Sequence, residues 1–161
     1  APDRRQAATT PLIPAGGAGL GVGMAGPLAA YERAFAVDDH AGMMALMAED
    51  VLFSDPLSGE LASKAALQRH LAQAGGLFAG VTQSVQDRAV DGDRVFLRWL
   101  HRGTNTATGK AYAFPGCTFL RLRGGLVVEH RDYFDPRTLV GQFKEAKQAV
   151  RAKQAAGPSK L

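Results

Sequence analysis

The 161 residues are enough for one compact domain with tails, and a hydrophobic content of 46% gives that domain a core to bury. Formal net charge is +4, but the excess sits near the end, where Lys144, Lys147, Arg151, Lys153 and Lys160 face only Glu145. No aromatic residue interleaves with those charges, which argues against nucleic-acid binding; the lone Cys117 excludes a disulfide framework and a cysteine zinc site; and no apolar stretch reaches membrane-spanning length.

Residues 1–26 read as a flexible arm of Pro, Gly, Ala and Thr without periodicity. Arg4-Arg5 followed by a weakly apolar stretch faintly resembles a twin-arginine export signal. The formal GxGxxG at Gly21-Val-Gly-Met-Ala-Gly26 follows no strand, so a dinucleotide site is dismissed. Residues 27–145 read as the folded domain, and residues 146–161 as a helix end with a basic tail. The tail closes on Ser159-Lys160-Leu161, a peroxisomal address in a eukaryotic cell; otherwise a cytoplasmic location is expected.

Pro27 suits the first turn of a helix running to about Val37, which Asp38, Asp39, His40 and Gly42 interrupt. A second short helix is expected from Met43 to Ala48, with Met43, Met44 and Met47 as a soft apolar side. Val51 to Phe53 reads as a buried strand that ends at the Asp55-Pro56 corner, where a carboxylate before a proline is most simply a turn former. Ser63 is placed to cap a helix from Lys64 to Ala74. Four strands follow, Val81–Val90, Arg94–Arg102, Tyr112–Arg123 and Leu126–Phe134, and Asp135-Pro136 opens a last helix to about Arg151. This order predicts an α+β domain: a cone-shaped, curved antiparallel (mixed) sheet wrapped around N-terminal helices, with an internal apolar pocket.

Alternation selects the inward side chains. Val95, Leu97, Trp99 and His101 share the apolar face of one strand. Leu126, Val128, His130, Asp132 and Phe134 share that of the last. A carboxylate and an imidazole on an inward face call for a partner or a site, because burying an unpaired charge is costly.

The stretch from Tyr31 through Asp55-Pro56 resembles the start of the nuclear transport factor 2-like, or cone-fold, superfamily. Within it the chain looks like SnoaL-like polyketide cyclases, ketosteroid isomerases and limonene-epoxide hydrolases, over residues 28 to 143. The spacing from Tyr31 to Asp55 is similar to that of the isomerases, which implies a proton-shuttling Asp55 and an oxyanion-donating Tyr31. Thr108-Gly-Lys-Ala-Tyr112 with Arg131-Asp-Tyr-Phe-Asp135 resembles the cyclases and epoxide hydrolases, which implies an acid or base at Asp132. Two departures stand out: Cys117 replaces a protonated Asp of the isomerases, and Trp99-Leu-His101 lacks the Arg and Asp of limonene-epoxide hydrolase.

The expected constellation is therefore Asp55, Asp132, Tyr31, His101 and His130 as catalytic groups, with Trp99, Cys117, Phe53, Leu97, Phe119 and Phe134 binding a hydrophobic small molecule. Two carboxylates driven to different proton affinities in an apolar pocket suit proton removal next to a carbonyl, followed by reprotonation or ring closure. That chemistry needs neither metal nor cofactor. Epoxide opening and a non-catalytic pocket or dimerisation module are the other readings, and a homodimer through the outer face of the sheet is expected.

Overall fold

The computed structural model describes residues 25–74 and 76–144. The export-signal and peroxisomal readings, and the last helix beyond residue 144, lie outside the described residues. Helix α1 (Ala25–Ala36) carries Pro27 in its first turn and buries Leu28, Tyr31, Ala34 and Phe35 along one face. Its end is a Schellman motif: Asp39 N–H donates to the Ala34 carbonyl at 2.9 Å and Asp38 N–H to that of Phe35 at 3.2 Å. Asp38 takes the left-handed conformation, φ 56°, that glycine usually supplies there.

Asp39 then caps α2 (His40–Ala45) by accepting from Gly42 N–H at 3.0 Å. The cap starts this helix three residues before the expected Met43, and it ends correspondingly early. Met47 and Ala48 belong to strand β1 (Met47–Asp55), which is longer than the predicted Val51–Phe53 run. A three-residue strand β2 (Gly59–Leu61) folds back on β1 where a loop was expected. Helix α3 (Lys64–Ala74) has the predicted bounds and its Ser63 cap, with Ala66 N–H bonded to Ser63 Oγ at 3.1 Å.

Strands β3 (Phe78–Asp91), β4 (Arg94–Asn105), β5 (Ala111–Arg123) and β6 (Leu126–Tyr133) form the predicted meander, and a helix α4 over 136–144 follows. The sheet order is β2-β1-β6-β5-β4-β3, with β1 parallel to β6 and every other pair antiparallel. The parallel pair sets Phe53 beside His130 and Ser54 beside Arg131. It makes a six-stranded mixed sheet, unclosed, out of a four-stranded meander.

Slips in the strand pairing bend the sheet around the helices. They fall in β3 between Ala79 and Thr82 and between Val85 and Asp87, in β1 between Met47 and Leu52, and in β5 between Arg121 and Leu122. The slip at Arg121 leaves Val128 as the extra residue and reverses the alternation before it. Val127 is buried at 1% exposure while Leu126 is 39% exposed. The expected inward placement of Leu126 and Val128 is thus corrected, while His130 keeps its inward place.

The core is built from Tyr31, Phe35, Val51, Leu67, Val95, Leu97, Trp99, Leu120 and Val127, all at most 2% exposed. Burying each large side chain of this kind is worth about 1.5–3 kcal/mol. Gly116 on β5 belongs to this packing: a Cβ there would lie 2.1 Å from the Trp99 ring, so only glycine lets the indole lie against the strand.

Candidate functional site

Between the helices and the inner face of the sheet lies a cavity of about 280 Å³. Its walls are mainly apolar. Met43, Met44 and Met47 come from α2 and β1, Leu67 and Leu71 from α3, Trp99 and Phe114 from the sheet, and Leu139 from α4. The polar groups that reach it are Asp38, His40, Asp55, Gln83, His101, Tyr112, His130 and Asp132.

One end of the cavity is a continuous hydrogen-bonded chain. Trp99 Nε1–H donates to Thr118 Oγ1 at 2.8 Å, and the Thr118 hydroxyl donates to Asp132 Oδ1 at 2.5 Å. His130 Nε2 lies 3.0 Å from the same Oδ1, and His130 Nδ1 lies 2.5 Å from the Tyr31 hydroxyl. Burial, reinforced by the Asp132 charge, holds the Tyr31 phenol protonated well above its ordinary range. With this phenol donating to Nδ1, Nε2 carries the imidazole hydrogen and points it at Asp132. Among the described residues, every hydrogen bond to Asp132 ends on Oδ1. Among those residues Oδ2 has no protein partner, in a side chain that is 17% exposed and lines the cavity.

A second polar group stands on β4 and β5. His101 Nε2 is 3.0 Å from the Tyr112 hydroxyl, and the imidazole stacks on Phe114 with ring centres 4.7 Å apart. Burial pushes the His101 proton affinity down, against smaller upward pulls from Asp38 and Asp132. Burial, then Asp38, pushes the Tyr112 phenol up to about 12. The pair is neutral near pH 7, and one hydrogen satisfies the contact between the rings. One donor is left over, either His101 Nδ1–H or the Tyr112 hydroxyl.

The sequence-predicted residues divide accordingly. Asp132, His130, His101, Trp99, Phe53 and Phe134 meet on the cavity, as does the side of Asp55. Both Asp55 oxygens, however, fasten a turn: Oδ1 accepts from Leu57 N–H at 2.6 Å and Ser58 N–H at 2.8 Å, and Oδ2 accepts from the Ser58 hydroxyl. This is the Asx-type turn that Asp-Pro alone suggests, and it occupies the carboxylate expected to shuttle protons. Tyr31 is fully buried and does not line the cavity, because its hydroxyl is spent on His130. Tyr31 thus positions a histidine instead of facing a ligand.

Leu97 is core rather than cavity wall, at 0% exposure. Cys117 and Phe119 fall on the odd positions of β5, whose even positions face inward. Phe119 packs on the exposed Phe96 of the outer face at 5.1 Å, with the Arg121 guanidinium over it. Neither Cys117 nor Phe119 reaches the cavity, so both assignments to ligand binding are corrected by the strand's alternation. Thr118, Tyr112 and Gln83 were missed. The signal for each was a polar residue on an inward, otherwise apolar alternation, such as Val81, Gln83 and Val85 on β3.

The SnoaL-like domain profile matches residues 28–130. The chain belongs to the SnoaL-like domain family. No curated protein matches the chain. Solved structures share the fold of this SnoaL-like protein. A Catenulispora acidiphila protein with a ketosteroid isomerase-like fold is 20% identical at a TM-score of 0.64, covering 72% of this chain and 90% of its own. An epoxide hydrolase of limonene-epoxide-hydrolase type from M. tuberculosis is 16% identical at 0.62, with 79% and 93% covered. A candidate polyketide cyclase from Pseudomonas putida is 21% identical at 0.61, with 72% and 94% covered. At these identities the likeness is one of fold, and the chemistry has to come from the cavity.

Proposed function

We propose that this SnoaL-like protein is an acid–base isomerase or cyclase acting on a hydrophobic carbonyl compound of polyketide or steroid type, with Asp132 as the proton-transferring carboxylate. The observation that carries this reading is the division between its two oxygens. Oδ1 is held by Thr118 and His130, while Oδ2 has no protein partner among the described residues, in a side chain that lines the cavity. A base needs that arrangement, with its orientation fixed and one lone pair free to reach a proton.

In the forward step Oδ2 takes a proton from the carbon next to the substrate carbonyl, and the C–H electron pair becomes the enolate double bond. Charge gathers on the carbonyl oxygen, where the spare donor of the His101–Tyr112 pair can meet it. Return of the proton to another carbon completes an isomerisation. Attack of the enolate carbon on a second carbonyl closes a ring, and the carboxylic acid then delivers its proton to the new alkoxide. Either course restores the carboxylate. The reading differs from a two-carboxylate mechanism because Asp55 is engaged in its turn.

The test uses α-tetralone, a bicyclic enolisable ketone, in heavy water. Wild-type protein is expected to speed deuterium uptake at the carbon beside the carbonyl, Asp132→Asn to lose about 10²–10⁴-fold of that rate, and Asp55→Asn to stay within a few-fold. Wild-type exchange in Asp132→Asn removes Asp132 from the base role.

A further inference from the structure

Gln83 is the polar side chain of the cavity that the proton transfer leaves unused. It projects inward from β3 between Val81 and Val85 and is 8% exposed. Its amide makes no hydrogen bond among the described residues. The only sealed side-chain polar atom without a partner among those residues is Arg121 Nε, so the Gln83 amide is not sealed. Gln83 is one of the residues that line the cavity. A buried amide without a partner is costly to the fold, and a site of this size offers one reason to keep it.

Its neighbour is informative. Gln83 pairs directly with His101 across β3 and β4, which puts their Cβ atoms about 4.5–5.5 Å apart. Gln83 offers two N–H donors and a carbonyl acceptor, and the His101–Tyr112 pair beside it offers one spare donor. No lysine or arginine lines the cavity among the described residues, and its charged groups are Asp38, Asp55 and Asp132, with His40 held by Asp38 at 3.2 Å. Such a wall suits uncharged oxygens and repels a carboxylate or phosphate. Two neutral donors at paired strand positions can each meet one oxygen of a single ligand.

We infer that Gln83 is a recognition residue for a second, uncharged oxygen of the ligand, set in the 1,3 relation to the carbonyl that His101 and Tyr112 meet. The substrate class is then a β-hydroxy ketone or its enolised β-diketone equivalent, carried on an apolar ring system. In the β-diketone the carbon between the two carbonyls is unusually acidic, and in the hydroxy ketone the carbon beside the carbonyl is an ordinary enolisable one. This inference rests on the cavity being the substrate site of the proposed function, but not on Asp132 being the base.

The probes are α-tetralone and its peri-hydroxy derivative, which adds one oxygen in the 1,3 relation on the same skeleton, titrated by NMR. Wild-type protein should bind the hydroxy ketone about five- to tenfold more tightly, the size of one neutral hydrogen bond. Gln83→Leu and the shape-preserving Gln83→Met should lose that preference, keep their affinity for α-tetralone and melt no lower than wild type. A preference that survives both substitutions overturns the inference, as does its absence from the wild type. So does a melting point lowered in both variants, since the amide would then have a structural partner. Asp132→Asn should keep the preference. If it also keeps wild-type deuterium exchange, the base assignment falls and the Gln83 subsite stands; exchange lost with the preference unchanged by Gln83→Leu leaves the base and removes the subsite.

Discussion

His101 holds its place by a balance that pH can tip. Burial lowers its proton affinity below the ordinary imidazole value, and Asp38 and Asp132 offset only part of that effect. In the unfolded chain the imidazole titrates near 6.5. Between the depressed folded value and about 6.5 the unfolded chain therefore binds more protons, so stability rises with pH across that window and falls as pH drops below about 6.5. His40 works in the opposite direction: its hydrogen bond to Asp38 raises its proton affinity, so its contribution is present below 6.5 and is lost as pH rises through the folded value. That side chain is 45% exposed, so solvent screens much of the effect. We expect the wild-type melting temperature to fall between pH 7 and pH 5, and His101→Phe, which keeps the stack on Phe114, to flatten that slope. Equal slopes in the two proteins would show that the imidazole carries none of it. The same residue-scale logic applies to Tyr31 and Asp55, one engaged by His130 and the other by its turn. Sequence spacing marked both, but a hydroxyl or carboxylate can be spent on a neighbour, and spacing does not reveal that neighbour.

Elements explain which parts of the site were legible. Alternation along β4 and the second half of β6 placed Trp99, His101, His130 and Asp132 on one inner wall, because those stretches pair without a slip. It failed before Val128, where an extra residue reverses the faces and leaves no mark in the residue types. The helix α2 and strand β1 boundary moved because an Asp39 cap outweighed the apolar run that follows it. β2 is too short to carry a periodic signal. Cys117 was misplaced by likeness to a family position, and both it and Phe119 take odd positions on β5, which belong to the outer face. At this scale Gly116 gives a sharp prediction. It lies under Trp99, whose Nε1–H begins the chain through Thr118 to Asp132. Gly116→Ala must displace the indole or the strand, at a cost of about 1–3 kcal/mol. It should lower deuterium exchange further than its loss of stability accounts for at a temperature where the variant is fully folded. Trp99 fluorescence would report the shift, and an unchanged spectrum with normal exchange would count against the indole as a support of Asp132.

For the whole molecule, the open question is why a domain of this size keeps a cavity of about 280 Å³ beneath a sheet that already buries Trp99, Leu97 and Leu120 completely or nearly so. Protein interiors pack at a density near 0.74, and a space lined by apolar side chains forfeits contacts that a filled core would have. The slips in pairing that curl the sheet, and the parallel β1–β6 pair that brings Phe53 beside His130, shape the wall around this space. Stability alone favours collapse, so the cavity is kept at a cost, and that cost can be recovered by filling it. Met44 lies on the wall at 7% exposure, in a flexible side chain that yields to its neighbours. Met44→Trp should swing the larger ring into the cavity and add apolar contact, raising the melting temperature by a few degrees, since about 1 kcal/mol moves a domain of this length by roughly 4 °C. The same variant should lose α-tetralone binding and deuterium exchange together, because the ligand and the indole compete for one volume. A variant that is less stable yet still binds would mean that the wall at Met44 cannot collapse inward. The cavity would then be a rigid consequence of the sheet's curvature, and not space held open against the core's tendency to fill it.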